Sequence, residues 1–222
     1  MDRPQSGPES LLLINASPRA KSTSFMLLKR IQSKLGGEIL QIRREDPDLI
    51  SKRIAQGSTI VIAGPCYINS WPSGVIKLME HAAKLAPYRG QKLYGIINGG
   101  MPYIHTHRSG VDSLQIFADE CGLSWMGRFV LGGGAMLDGQ PLEKHISAGK
   151  IVPAFDRFVE QIAKGEASPD CLYQEAQPAP GWLFTQVTSK MLTLMVTRQL
   201  KKHGHHPDDK GPYMNAEDAG NQ

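Results

Sequence analysis

Residues 11–30 read LLLINASPRAKSTSFMLLKR. Leu11 to Ile14 are consecutive apolar residues, the pattern of a strand buried on both faces. A basic, hydroxyl-rich loop follows from Asn15 to Ser24. Apolar residues then recur at Phe25, Leu28, Ile31 and Leu35, which is helical spacing. Strand, polar loop and helix start, in that order, make an anion site. The first N–H groups of a helix lack intrahelical acceptors, and its positive dipole end faces the loop. Here Ser17, Ser22, Thr23 and Ser24 supply hydroxyls, and Arg19 and Lys21 supply charge. That set suits a phosphate monoester. The run GxxxxGK[ST] is absent, so the loop is not a P-loop.

Working outward, strand-like and helix-like segments alternate. Strands are predicted at Glu38–Ile42, Thr59–Ala63, Lys92–Ile97 and Arg128–Leu131, after the first at Leu11–Ile14. Helices are predicted over 24–35, 47–55, 74–85, 109–121 and 146–163. This alternation implies an α/β fold, a parallel sheet covered on both faces. The 222 residues make one large domain, or a domain with an extension. Residues 1–165 form the domain. Residues 166–222 form the extension: a Pro-rich arm from Gly165 to Gly181, a helix over about 181–202, and a polar tail. Leu183, Val187, Met191, Leu194 and Met195 share one stripe of that helix, which packs either on its parent domain or on a second subunit.

Net charge is +4, with both signs intermixed. This suits anionic small molecules and does not call for nucleic acid. Cys66, Cys121 and Cys171 form no CxxC pair and no disulfide framework, which suggests a reducing compartment. The opening MDRPQSGPES has no apolar signal core. No apolar run nears the roughly 18 residues of a membrane span. The expectation is a cytoplasmic protein with no membrane partner.

In open parallel sheets, ligands bind beyond the carboxyl ends of the strands. The third strand leads into Gly64-Pro65-Cys66-Tyr67-Ile68-Asn69-Ser70-Trp71-Pro72-Ser73-Gly74, the fourth into Asn98-Gly99-Gly100-Met101-Pro102-Tyr103, and the fifth into Gly132-Gly133-Gly134-Ala135. Glycine permits close backbone approach. A planar ring with hydrogen-bonding edges fits between the second and third of these four loops, with its phosphate reaching the first.

ASPRAKSTS resembles the GSPRxxSxT phosphate loop of the NADPH-dependent FMN reductase family. PCYINSWPSGVIK is similar to that family's P-x-Y-x-x-S-x-P-x-x-x-K segment, at Pro65, Tyr67, Ser70, Pro72 and Lys77. The turn Asn98 to Gly100 matches the third flavin loop in character. The resemblance covers about residues 10–165. It implies a flavodoxin-like five-stranded parallel sheet of order 2-1-3-4-5 and a tightly bound FMN. It also implies a homodimer, or higher homo-oligomer, with the flavin near the interface. Ser17, Arg19, Ser22, Thr23 and Ser24 then hold the phosphate. Pro65, Cys66, Tyr67, Ile68, Asn69 and Ser70 line the ring, and Asn98, Gly99 and Gly100 approach its pyrimidine edge.

The resemblance implies an FMN-dependent NAD(P)H oxidoreductase. Hydride passes from nicotinamide to FMN N5, and electrons then pass to a small acceptor: a flavin, quinone, azo or nitro compound. No catalytic side chain is implied. The alternative is a non-catalytic electron carrier or flavin-binding partner protein. The dispersed cysteines do not supply the compact motif on which some relatives hold an iron–sulfur cluster. The chain is also basic, where carrier flavodoxins are usually strongly acidic.

Cys66 reads as a small neighbour of the ring and Cys121 as core. His105 and His107 form an HxH without nearby carboxylate or cysteine, which favours a surface or nicotinamide-facing role over metal. His203, His205 and His206 read as solvated tail residues. Arg43 and Arg44 read as a solvated pair, and Lys77 as a helix-face residue. Trp71 stands either at the mouth of the site or at an interface.

Overall fold

Leu11–Asn15 form β1 at the inside of a five-stranded sheet, every residue buried. It pairs in parallel with β2 (Glu38–Gln41) and β3 (Thr59–Pro65). β4 (Lys92–Asn98) and β5 (Ser124–Leu131) continue in parallel, giving the order β2-β1-β3-β4-β5. The computed structural model describes residues 10–67, 70–177, 181–207 and 209. The α/β class, the strand order and the five expected strands agree with the reading of the sequence.

The helices are α1 (Thr23–Leu35), α2 (Pro47–Gln56), α3 (Ser73–Ala83), α4 (Arg108–Cys121), α5 (Ala148–Lys164), α6 (Cys171–Ala176) and α7 (Trp182–Lys202). Local chemistry sets their ends. Ser22 caps α1 by accepting from the Phe25 N–H, and Gly36 at φ 77 ends it. Asp46 caps α2, with Pro47 in its first turn. Right-handed crossovers then put α1 on one face of the sheet and α2, α3 and α4 on the other. The chain returns after β5, and α5 lies beside α1, where Arg30 pairs with Asp156. Phe155, Phe158 and Ile162 of α5 are buried, and Phe129 of β5 meets Phe155 edge-on at 5.1 Å.

Two features depart from the sequence reading. β5 starts at Ser124, four residues before the expected Arg128. A register shift opposite Leu93 and Tyr94 interrupts its pattern, and Gly127 takes φ 108. A Cβ on Gly127 would lie 2.3 Å from the Ser168 carbonyl oxygen, so glycine is required for this approach.

The second departure concerns the stretch after Gly165, expected as an extended arm. Ser168 N–H donates to Met126 O at 2.7 Å. Arg128 holds Asp170 through two nitrogens, at 2.7 and 3.0 Å, and reaches Asp112 at 3.0 Å. The Gln177 side chain bonds to Gly132 N–H and Val130 O, as a neighbouring strand would. Residues 166–177 thus cover the β5 edge. The expected division at residue 165 falls inside the first of two compact units, which reaches Ala179. The second unit, from Pro180, contains α7. Among the described residues, no helix is long and apolar enough to cross a membrane.

Candidate functional site

The loop after β1 is folded by its own side chains. Asn15 Oδ1 accepts from Ser17 N–H at 3.2 Å, and Ser17 Oγ accepts from Arg19 N–H at 3.2 Å. These local turns carry the chain from the strand end to the Ser22 cap. Ser17, Ser22, Thr23 and Ser24 are all buried. Ser22 Oγ takes the Phe25 N–H at 3.2 Å. The N–H groups of Lys21, Ser22, Thr23 and Ser24 find no acceptor among the described residues. Asn15 Nδ2 is likewise buried with no partner.

Two of the hydroxyls are turned to the scaffold. Thr23 Oγ1 donates to Gly134 O at 2.7 Å and accepts from Gly139 N–H at 3.4 Å. Ser24 Oγ accepts from Asn98 Nδ2 at 2.7 Å. The same amide nitrogen donates to Gly64 O at 3.1 Å, and Asn98 O accepts from Cys66 N–H at 2.6 Å. Asn98 therefore ties together the ends of β3, β4 and α1, and its side-chain nitrogen is committed to that task.

The loop after β5 folds onto the first. Gly133 N–H donates to Met101 O at 2.9 Å and Ala135 N–H to Gly99 O at 3.2 Å, which joins the third and fourth loops. Asp138, at φ 48, sends its carboxylate to Arg19 at 2.5 Å, with both side chains largely in water.

The loop after β3 is partly apolar and partly exposed. Pro65 and Cys66 are half-buried and Tyr67 is exposed. Tyr67 and Ser70 exchange backbone hydrogen bonds at 2.8 and 3.1 Å. Ile68 and Asn69, expected to line a ring, lie outside the described residues. Gly100 is exposed, and Met101 and Met136 project into solvent from the next two loops.

Gly99 is buried beneath His107, because a Cβ there would sit 2.2 Å from the imidazole Cε1. His107 does not stand at the surface, one of the two roles expected for it. It is 2% exposed, and neither ring nitrogen has a hydrogen-bond partner among the described residues. Burial lowers its pKa. The nearby Met101 backbone opposes this, and His105 adds to it. Trp71 stands neither at the mouth nor at an interface: it is buried against Gly64 and Gly110, and its Nε1 donates to Gly110 O. Lys77, Arg43 and Arg44 are exposed and Cys121 is buried, as expected.

Asp138 is the site residue the sequence reading missed. Its Asp-Gly dipeptide marks a turn, but nothing local says that the turn meets Arg19. Among the described residues, no group of three His, Cys, Asp or Glu could hold a metal ion.

The donor set fits a phosphate monoester. Four consecutive N–H groups at a helix start and one buried amide N–H face a shortage of acceptors, and phosphate oxygens supply acceptors. Arg19 offers charge at the same loop.

No family model matches the chain, and no curated protein matches it in sequence. Its structure is similar to that of an NADH:FMN oxidoreductase in its apo form, at 14% identity and TM-score 0.54, over 77% of this chain and 97% of the other. An NADPH-quinone reductase from P. pentosaceus aligns at 16% identity and TM-score 0.53, over 69% and 97%. A flavodoxin from Streptococcus pneumonia aligns at 12% identity and TM-score 0.53, over 70% and 99%. With its 2-1-3-4-5 parallel sheet, the chain has the flavodoxin-like fold.

Proposed function

We propose that this chain is an FMN-dependent NAD(P)H oxidoreductase that passes electrons to a small acceptor such as a flavin, quinone, azo or nitro compound. The observation that carries the reading is the run of unpartnered N–H groups from Lys21 to Ser24 on the loop that also carries Arg19. The likeness of the fold to proteins described as an NADH:FMN oxidoreductase, an NADPH-quinone reductase and an FMN-dependent NADH-azoreductase supports it. The two sequence motifs that resemble the FMN reductase family occur on the matching loops.

In this reading FMN, when bound, supplies the redox chemistry. The chain supplies binding, orientation and electrostatics. Ser17, Ser22 and the N–H groups of residues 21–24 hold the phosphate, and Arg19 balances its charge. Thr23 and Ser24 act from behind, by fixing the helix start to Gly134 and Asn98. Pro65, Cys66, Tyr67 and Ser70 form one wall for the ring. Gly100 leaves the backbone of the next loop accessible, so N–H donors there can favour negative charge on the ring edge. Tyr67 and Met101 are exposed on their loops, where nicotinamide and acceptor can take turns at the ring.

The test is to load the protein with FMN, remove oxygen and add NADH or NADPH. Loss of the oxidised flavin spectrum on mixing is the expected result. A loaded protein whose spectrum ignores both nucleotides would contradict the enzyme and favour the electron carrier.

A further inference from the structure

Three consecutive glycines, Gly132, Gly133 and Gly134, follow β5. Glycine has the widest backbone freedom, so such a loop takes its shape from the groups that hold it. Gly133 adopts φ 67.

The Gln177 side chain holds the start of this loop. Its oxygen accepts from Gly132 N–H, and its nitrogen donates to Val130 O. The partners fix the direction of the amide, because an N–H needs the oxygen and a carbonyl needs the nitrogen. Gln177 is 7% exposed, which keeps both bonds out of bulk water. A Cβ on Gly132 would lie 3.3 Å from Gln177 Oε1 and 2.5 Å from Pro102 O. Gly132 therefore packs against both Gln177 and the loop after β4.

The segment that presents Gln177 is itself anchored. Arg128 bonds to Asp170 and to the Tyr173 hydroxyl, and the Tyr173 ring meets Phe129 edge-on at 6.3 Å. Gln177 N–H donates to Tyr173 O at 3.1 Å.

The rest of the glycine loop holds both halves of the candidate site. Leu131 O accepts from Gly99 N–H at 3.2 Å, Gly133 N–H donates to Met101 O, and Ala135 N–H donates to Gly99 O. Those three bonds shape the loop after β4. Gly134 O accepts from Thr23 Oγ1 at the start of α1. Residues 131–135 thus tie the loop expected at the ring edge to the loop expected at the phosphate. Covering the β5 edge would need only the bond to Val130. The bond to Gly132 falls one residue past the end of the strand, on the tie itself.

We propose that Gln177 is a positioning residue of the flavin site. Through Gly132 it fixes the loop after β5, which in turn sets Gly99, Met101 and the start of α1. Residues 166–177 then belong to the site as well as to the sheet edge. The proposal rests on the FMN reading given above.

The test is fluorescence titration of the full chain with FMN at about pH 8 and about pH 5.5, each variant compared with the wild type at the same pH. Gln177→Met keeps the volume and removes both bonds. It should weaken FMN binding at least about tenfold at both pH values. Gln177→Glu keeps the acceptor for Gly132 N–H, but its carboxylate has no proton for Val130 O. Burial raises the pKa of such a carboxyl, and the protonated form donates again. Its binding should be weak at the higher pH and return toward wild type at the lower. Far-UV circular dichroism shows that each variant is folded. A folded Gln177→Met chain with wild-type affinity overturns the proposal, because loss of edge cover alone lowers only the urea midpoint. A Gln177→Glu chain whose ratio to wild type is the same at both pH values overturns it too, and decides alone if Gln177→Met does not fold. A wild-type chain that takes up no FMN overturns the functional reading, and the proposal falls with it.

Discussion

Arg19 and Asp138 form an ion pair at 2.5 Å, joining the loop after β1 to the loop after β5 across 119 positions of sequence. The cation best placed for a phosphate is thus already engaged by a carboxylate. Both side chains are about 60% exposed, so the pair adds little to stability. Its effect falls on ligand binding. Asp138→Asn should tighten FMN binding several-fold at low salt, and the gain should shrink as salt rises. Fluorescence titration at two ionic strengths checks this. Weaker binding in Asp138→Asn would show instead that the carboxylate positions Arg19.

Arg19→Ala and Ser17→Ala should each weaken FMN binding by about 1.5–3 kcal/mol, the range for hydrogen bonds to a charged group. Ser17→Ala also removes the acceptor of the Arg19 N–H. Unchanged affinity in both variants would return the loop to a capped turn.

Asn98→Ala removes the amide that joins Ser24 Oγ and Gly64 O inside the protein. Leaving buried groups unsatisfied should cost about 1–3 kcal/mol of stability. Urea unfolding measures this as a lower midpoint at an unchanged slope.

Gly99→Ala should destabilise the protein, because its new methyl meets the His107 ring. His107→Ala in the same chain should recover part of the loss. A double-mutant cycle measures that coupling, and additive effects would show that the contact is not the cause.

His107 also gives a pH dependence. Burial holds its folded-state pKa below the unfolded value, so the unfolded chain binds more protons through that window. Stability should therefore fall as pH drops below about 6.5, the ordinary histidine value. His107→Gln should flatten the slope of unfolding free energy against pH there. An identical slope in the variant would assign the dependence to other groups.

Much of this was legible in the sequence, for reasons that individual residues make plain. Strands β1 and β3 are continuous apolar runs, and α1 shows its period together with the Ser22 cap. β5 was read late because the bulge at Gly127 interrupts its pattern. The cover formed by residues 166–177 was missed because α6 is too short to show a period, and Asp170 and Gln177 act on partners far away in sequence. At the site, the loops were legible but not the direction of each side chain. Thr23 and Ser24 suit a phosphate by type, yet their hydroxyls meet Gly134 and Asn98. Trp71 and His107 look like mouth residues until Gly64, Gly110 and Gly99 are seen to make room for them in the interior.

On the proposed function, the loop from Ser17 to Ser24 binds the phosphate of a flavin. The measurement that tests it most directly is parallel titration of the ligand-free protein with FMN and with riboflavin, which differ only in that phosphate. FMN should bind at least about a hundredfold more tightly, because several charge-assisted hydrogen bonds are lost with the phosphate. Equal affinity for the two, or no binding of FMN, would contradict the account.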